Sequence, residues 1–334
     1  MSADAAVLCG LGTWLPPHAV TNDDLARELD TSDEWIRSRT GIGTRYVADP
    51  STATSDLAVE AGRRALKSAE RDTVDAVVLA TSTPDHPCPA TAPLVAAQLG
   101  LGTVAAFDVG AVCTGFLYAL AAAAGLIAAG TSGSVLVIGA DTYSTILDPA
   151  DRSTRAIFGD GAGAVVLRSG GADEPGALGT PVLGSDGNGS GLIGVRSGGS
   201  REPLRPHTAE GADPYFRMAG KAVFRNAVER MADASLTAAR RAGWEVGDID
   251  RLIAHQANLR ILHAAADRMR LPRRRCPVHL DRVGNTAAAS IPLALSHAVA
   301  GGELLPGHRT VLTAFGGGLT WGACTVRWPA LIPV

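Results

Sequence analysis

Residues 107–138 read FDVGAVCTGFLYALAAAAGLIAAGTSGSVLVI, and no charge interrupts the chain between Asp108 and Asp141. A run of this kind invites comparison with a membrane span, which needs roughly 20 unbroken apolar residues. Gly130, Thr131, Ser132, Gly133 and Ser134 break it with a turn signal. What remains is a helix over 114–129 and a short apolar strand over 135–138. A helix that is apolar all round and bounded by strands belongs at the centre of an α/β protein, not in a bilayer.

The order of elements around this segment occurs twice. Residues 61–66 read as helix and lead through Val74 and Asp75 to a strand over 76–80; residues 238–242 lead through Ile249 and Asp250 to a strand over 252–254. Phe107, Asp108 and a glycine turn lead to Cys113 and the charge-free helix. In the counterpart, 278–281 and a turn lead to Asn285 and a small-residue helix over 286–299. Each helix is followed by a strand, 135–138 or 310–314, then by a glycine-rich turn and a closing strand within 159–167 or 316–326. Val74 and Ile249 stand 175 residues apart, as do Val135 and Thr310; Cys113 and Asn285 stand 172 apart. The chain therefore reads as two copies of one unit, 1–172 and 173–334. The Cys113 and Asn285 turns would face each other at the N-termini of two central helices.

Composition agrees. A net charge of −3 with 46% hydrophobic residues excludes a disordered chain and argues against a nucleic-acid or polybasic membrane binder. The 39 glycines among 334 residues exceed the usual share of about 7%, while aromatics make up only 4%. Such a core is built from Ala, Val, Leu and Ile, with backbones packed close. The five cysteines, Cys9, Cys88, Cys113, Cys276 and Cys324, form no CxxC pair. No disulfide framework or zinc site is expected, and a reducing cytoplasm is. Residues 1–8 hold Asp4 and no Lys or Arg, which does not read as a signal peptide.

Cys113 lies between a strand and a helix start. There, free N–H groups and partial positive charge lower a thiol's pKa and suit a nucleophile. A buried structural thiol is the other reading, and the one taken for Cys9, Cys276 and Cys324. His18, His207 and His308 read as surface residues, and His263 and His297 as packing or solvent residues of helices. His255 instead ends the strand over 252–254, at the strand end where α/β sheets place their sites. Asn285 fits a helix N-cap or, because it cannot titrate, a permanent N–H donor. Taken together, the cysteine can hold an acyl group as a thioester while His and Asn offer two N–H donors to a carbonyl oxygen. No metal-ligand spacing, Walker loop or strand–GxGxxG–helix pattern is present. Gly316, Gly317 and Gly318 lie between strands, where backbone N–H groups can approach an oxyanion.

At these residues the chain resembles the β-ketoacyl-acyl-carrier-protein synthase III family of the thiolase superfamily. The likeness runs through TSDEWI at 31–36, RTGI at 39–42, the Cys113 turn, Asp151-Arg152, FGDGAG at 158–163, 255–261, 284–290 and 315–323. It implies an α/β thiolase-like fold with duplicated halves in five αβαβα layers, two mixed sheets and buried central helices, assembled as a homodimer. It also implies that Cys113 takes an acyl group from acyl-CoA. Malonyl-acyl-carrier-protein then loses CO₂, with His255 and Asn285 holding the enolate and the N–H groups of Cys113 and Gly317 forming the oxyanion hole. No organic cofactor or metal is implied.

Carried over in the same way, Trp35, Arg39, Arg152 and Asn258 match CoA-binding positions, and Cys88, Met218 and Phe224 match the acyl tunnel. Arg225 and Arg260 match positions that dock an acidic carrier protein. Two departures stand out. Cys88 replaces a bulky aromatic in a loop one residue longer, which suggests a longer, branched or cyclic starter. Asp267 stands in the docking helix where basic residues are common, with Arg273, Arg274 and Arg275 nearby. The alternative is an acyltransferase that moves the acyl group to a hydroxyl or amine; the intact His255 and Asn285 favour condensation. Chalcone synthases are longer chains, and a thiolase needs a second active-site cysteine, for which Cys324 in the closing strand is poorly placed. The intact Cys, His and Asn also speak against a catalytically dead scaffold subunit.

Overall fold

The computed structural model describes residues 5–204 and 211–334; His207 and the first four residues lie outside them. Nine strands form two sheets: β1 (Ala5–Trp14), β2 (Ala76–Ala80), β3 (Ala105–Val109), β4 (Ser134–Asp141) and β5 (Gly161–Gly170), then β6 (Val182–Ser185), β7 (Arg251–Ala254), β8 (Arg309–Gly316) and β9 (Thr320–Arg327). The helices that matter here are α1 (Asp33–Thr40), α2 (Thr54–Ser68), α3 (Gly115–Ala128), α4 (Gly220–Arg241), α5 (Leu259–Arg268) and α6 (Ser290–Ala300).

The first sheet runs β1-β5-β4-β2-β3, and the second, read from its far edge, β6-β9-β8-β7. The pairings match in kind as well as order: antiparallel, antiparallel and parallel in each, with β3 added in parallel to the first sheet alone. All five residues of β2 are buried, as expected of a parallel strand covered on both faces. Helix α2 packs on the outside of the first sheet, α4 on the outside of the second, and α3 and α6 lie between the sheets. That makes the five layers. The outer helices bury one stripe each, Leu57, Ala61 and Ala65 on α2 and Val223, Ala227 and Met231 on α4. Helix α3 has 14 residues, and among the described residues no helix is long and apolar enough to cross a membrane.

The structure sharpens the repeat and corrects one of its pairings. β2 and β7, β4 and β8, and α3 and α6 all begin 175 residues apart. So do two short 3₁₀ turns, Val112–Thr114 and Ala287–Ala289. Both turns start on a non-glycine residue in the left-handed region, Val112 at φ 47° and Ala287 at φ 45°, a conformation that costs energy and collects at functional sites. The counterpart of Cys113 is therefore Ala288, and Asn285 lies three residues earlier. The stretch 278–281 is not an edge strand like β3. It turns into a short helix, Leu280–Val283, and the chain then crosses to the first half. There Asn285 N donates to Ile157 O at 2.8 Å, and Gly159 N donates to Asn285 O at 3.0 Å. These bonds are lost to the second sheet and gained by the seam.

Glycine meets a close-approach requirement at this seam. A Cβ on Gly139 of β4 would overlap the backbone carbonyl of Ala288, so only glycine lets the second half's turn sit against the first sheet.

Candidate active site

Cys113 is the middle residue of the first 3₁₀ turn, just ahead of α3, and is buried. His255 follows β7 and is fixed by its own N–H, which donates to Thr313 O of β8 at 2.8 Å. Asn285 enters from the seam. All three open into one small cavity of about 40 Å³, whose remaining walls include Phe158, Phe216, Met218 and Phe315.

The orientation of the Asn285 amide follows from its bonds. Its Oδ1 accepts from Ala287 N at 3.0 Å, which leaves the two Nδ2 hydrogens for the cavity. Asn285 is not a helix N-cap, since Thr286 holds that place before the 3₁₀ turn; its oxygen closes a local turn, and its nitrogen is free to donate. His255 is buried, which pushes its pKa down to about 3, so the imidazole is neutral at physiological pH. Gly316 of β8 lies directly against Cys113, and a Cβ there would stand 3.0 Å from Cys113 N. The next residue, Gly317, begins the turn between β8 and β9. Its N–H makes no hydrogen bond among the described residues.

For the Cys113 thiol, the expected lowering is not what the site produces. Burial pushes it well above the ordinary range, the Asp141 carboxylate adds to the rise, and a backbone N–H works against both. The resting nucleophile is a protonated thiol. Because thiolate is the reactive form, carbamidomethylation of Cys113 in the free enzyme is expected to accelerate roughly tenfold per pH unit between about pH 6 and 8.5, without levelling off. A plateau beginning near pH 7, followed by mass spectrometry of the Cys113 peptide, would show a pre-formed thiolate instead.

Asp141 escaped the sequence reading. It is fully buried at the end of β4 and bridges the two halves, accepting from Ser82 N at 2.7 Å and from Ala288 N at 3.0 Å. Burial raises its carboxyl to about 7. The aromatic box was missed as well. Tyr143 and Phe158 stack at 4.5 Å, and Phe216 meets both edge-on at 5.2 and 5.0 Å. Phe216 also lines a second cavity of about 330 Å³, with Ser82, Val112, Tyr143 and Ile146.

The expected tunnel residues separate. Met218 lines the cavity with Cys113, whereas Phe224 is half-buried and packs into the core beside it. Cys88 is exposed on its loop, so it does not gate this chain's own cavity. Trp35 on α1 carries two guanidinium groups over its ring, with Arg39 Cζ at 4.5 Å and Arg152 Cζ at 5.0 Å from the centroid. Asn258 is engaged within the protein. As the N-cap of α5 its Oδ1 accepts from Arg260 N at 2.8 Å, and its Nδ2 donates to Arg39 O at 3.0 Å. One Nδ2 hydrogen thus ties Asn258 to the backbone of the Trp35 cluster, and the second is left for a ligand. Arg225 and Arg260 are exposed on the neighbouring helices α4 and α5. The Asp267 carboxylate is neutralised by Arg273, whose Nε lies 2.9 Å away. Arg275 is turned to the carbonyls of Gly247 and Ile249.

Two sheets related by duplication, with a cysteine from one half and an N–H-donating His and Asn from the other in one cavity, define a thiolase-type condensing acyltransferase. Two family models match the chain: 3-oxoacyl-[acyl-carrier-protein] synthase III over residues 107–187, and the C-terminal part of the same synthase over 239–328. The β-ketoacyl-[acyl-carrier-protein] synthase III 5 of Streptomyces coelicolor is 61% identical over 97% of this chain and 98% of its own. A synthase III of Pseudomonas aeruginosa is 53% identical over 98% of both chains. Among solved structures, the 3-oxoacyl-(acyl carrier protein) synthase III of Pseudomonas aeruginosa PAO1 superposes with a TM-score of 0.93 at 52% identity, covering 98% of this chain and 100% of that one. The priming β-ketosynthase of the R1128 polyketide pathway superposes with a TM-score of 0.90 at 35% identity, covering 97% and 96%. The chain belongs to the 3-oxoacyl-[acyl-carrier-protein] synthase III family and is an acyltransferase.

Proposed function

We propose that Cys113 takes an acyl group from acyl-CoA and that the resulting thioester is the electrophile in a decarboxylative condensation with malonyl-acyl-carrier-protein. In loading, Cys113 Sγ bonds to the acyl carbon, the bond to CoA sulfur breaks, and the thiol proton leaves with CoA. Malonyl-carrier protein then loses CO₂, and the electron pair of the broken bond passes into an enolate whose oxygen is held by His255 and Asn285. The carbanion attacks the Cys113 thioester, the oxyanion rests on the N–H groups of Cys113 and Gly317, and collapse breaks the bond to Cys113 Sγ, giving a 3-oxoacyl-carrier protein and a Cys113 thiolate that takes a proton from solvent. N–H donors stabilise both anions, so the cycle as proposed draws on neither metal nor organic cofactor. The observation that carries this reading is the Asn285 amide. With its oxygen held by Ala287 N, it presents a pure donor to the cavity of Cys113, which suits an enolate better than the general-base work of transfer to an alcohol.

Substrate binding follows the same reading. Trp35 stacks the adenine of CoA once one of its two guanidinium neighbours, Arg39 or Arg152, leaves the ring face. Arg225 and Arg260 steer an acidic carrier protein despite the chain's net negative charge. The unpaired side of edge strand β3 is where a second copy would continue the first sheet, giving a homodimer. Five free cysteines fit a reducing cytoplasm.

The starter is read as larger than acetyl, because a cavity of about 330 Å³ lined by Gly110 and Val112 shares Phe216 with the small cavity of Cys113. Intact mass spectrometry with a panel of acyl-CoAs tests loading and starter together. C4–C8 chains are expected to load faster than acetyl, and a clear acetyl preference would refute the size argument.

A further inference from the structure

We propose that Ser290 is a positioning residue that sets the tautomer of His255, donating its hydroxyl hydrogen to Nδ1 so that the ring proton sits on Nε2. The argument rests on three buried groups. Ser290 opens α6 and His255 follows β7, each 2% exposed, with Ser290 Oγ 2.6 Å from His255 Nδ1. The backbone N–H of Gln256, which can only donate, points at the same Oγ from 3.4 Å. Gln256 is itself anchored, donating Nε2 to Ala254 O at 2.9 Å and accepting His279 N at 2.8 Å on Oε1.

Two arrangements are open to the pair. If Nδ1 carried the proton and donated to Ser290, the hydroxyl hydrogen would have no acceptor among the described residues. A buried O–H left unpaired is the costlier state. If Ser290 donates to Nδ1, every hydrogen in the chain Gln256 N–H, Ser290 O–H is used, and Nε2 is left as the N–H donor. The partner is also a neutral hydroxyl, not a carboxylate, so nothing here supports an imidazolium. His255 is built to stay neutral and donate, not to take the Cys113 proton.

The functional consequence rests on the reading of His255 as an enolate donor; the tautomer itself does not. In ¹⁵N-histidine-labelled enzyme, the His255 ring nitrogens are expected to report a neutral imidazole protonated at Nε2. Ser290→Ala should shift that signal toward the Nδ1–H form, and Ser290→Thr, which keeps the hydroxyl, should restore it. With enzyme already acylated on Cys113, CO₂ release from malonyl-carrier protein should fall roughly 10- to 100-fold in Ser290→Ala and recover in Ser290→Thr, while acyl loading stays near wild type. An Nδ1–H tautomer in the wild type, or a Ser290→Ala enzyme with the wild-type tautomer, overturns the proposal. A shifted tautomer with unchanged CO₂ release would uphold Ser290's role and overturn the enolate-donor role of His255.

Discussion

Cys113→Ala enzyme takes up no acyl mass from any acyl-CoA, and its formation of 3-oxoacyl product falls by at least about 10⁴-fold. The size of the effect follows from covalent catalysis: without sulfur at this position no thioester forms, and the remaining donors have no electrophile to work on. The fold tolerates the change, because Ala fills a site already walled by Phe158, Phe216 and Met218. Circular dichroism and thermal unfolding close to wild type would separate lost chemistry from lost structure. Cys113→Ser is the sharper comparison. It keeps an atom at the nucleophile's place, yet a buried hydroxyl is far harder to ionise than even this raised thiol, so most loading is lost as well.

The second large effect separates the two steps. Asn285→Ala should load an acyl group at a rate within a few fold of wild type but lose decarboxylation by about 10²- to 10³-fold, the range seen when one oxyanion donor is removed. The split is expected because Nδ2 faces the cavity and has no part in the bond between Cys113 and the acyl carbon. Single-turnover mass spectrometry measures loading, and CO₂ release from malonyl-carrier protein measures the second step. Equal loss of both would show that Asn285 supports the turn as a whole, through the bond from Ala287 N to its Oδ1, and not the enolate.

Much of this architecture was legible because the repeat is written in local chemistry. Charge-free helices, glycine turns and branched strands fall in one order twice, and His255 stands at a strand end. The pairing of Cys113 with Asn285 misled because spacing alone cannot show which turn residue carries the left-handed φ. That residue is Val112 in one half and Ala287 in the other, so Ala288 takes the place of Cys113. Asn285 reaches the cavity only because its backbone leaves the repeat and bonds to residues 157 and 159. Asp141 was invisible for a related reason. One aspartate after a buried strand reads as a turn, and only the folded chain shows it accepting from Ser82 and Ala288 in opposite halves. The box of Tyr143, Phe158 and Phe216 is a meeting of residues far apart in sequence, with no periodicity to announce it. Asn258 was recognised by its motif, but its bonds to Arg39 O and from Arg260 N are a detail that no motif carries.

The central claim is that one half supplies the acyl carrier and the other the enolate, in a single cavity at the seam. It is tested most directly by loading the enzyme with a medium-chain acyl-CoA, mapping the acylated peptide, and then adding malonyl-carrier protein. The account predicts acyl mass on the Cys113 peptide alone, consumed with one CO₂ and one 3-oxoacyl-carrier protein formed per acyl group. Acylation at another cysteine, or loss of the acyl group from Cys113 without CO₂ release, would contradict it.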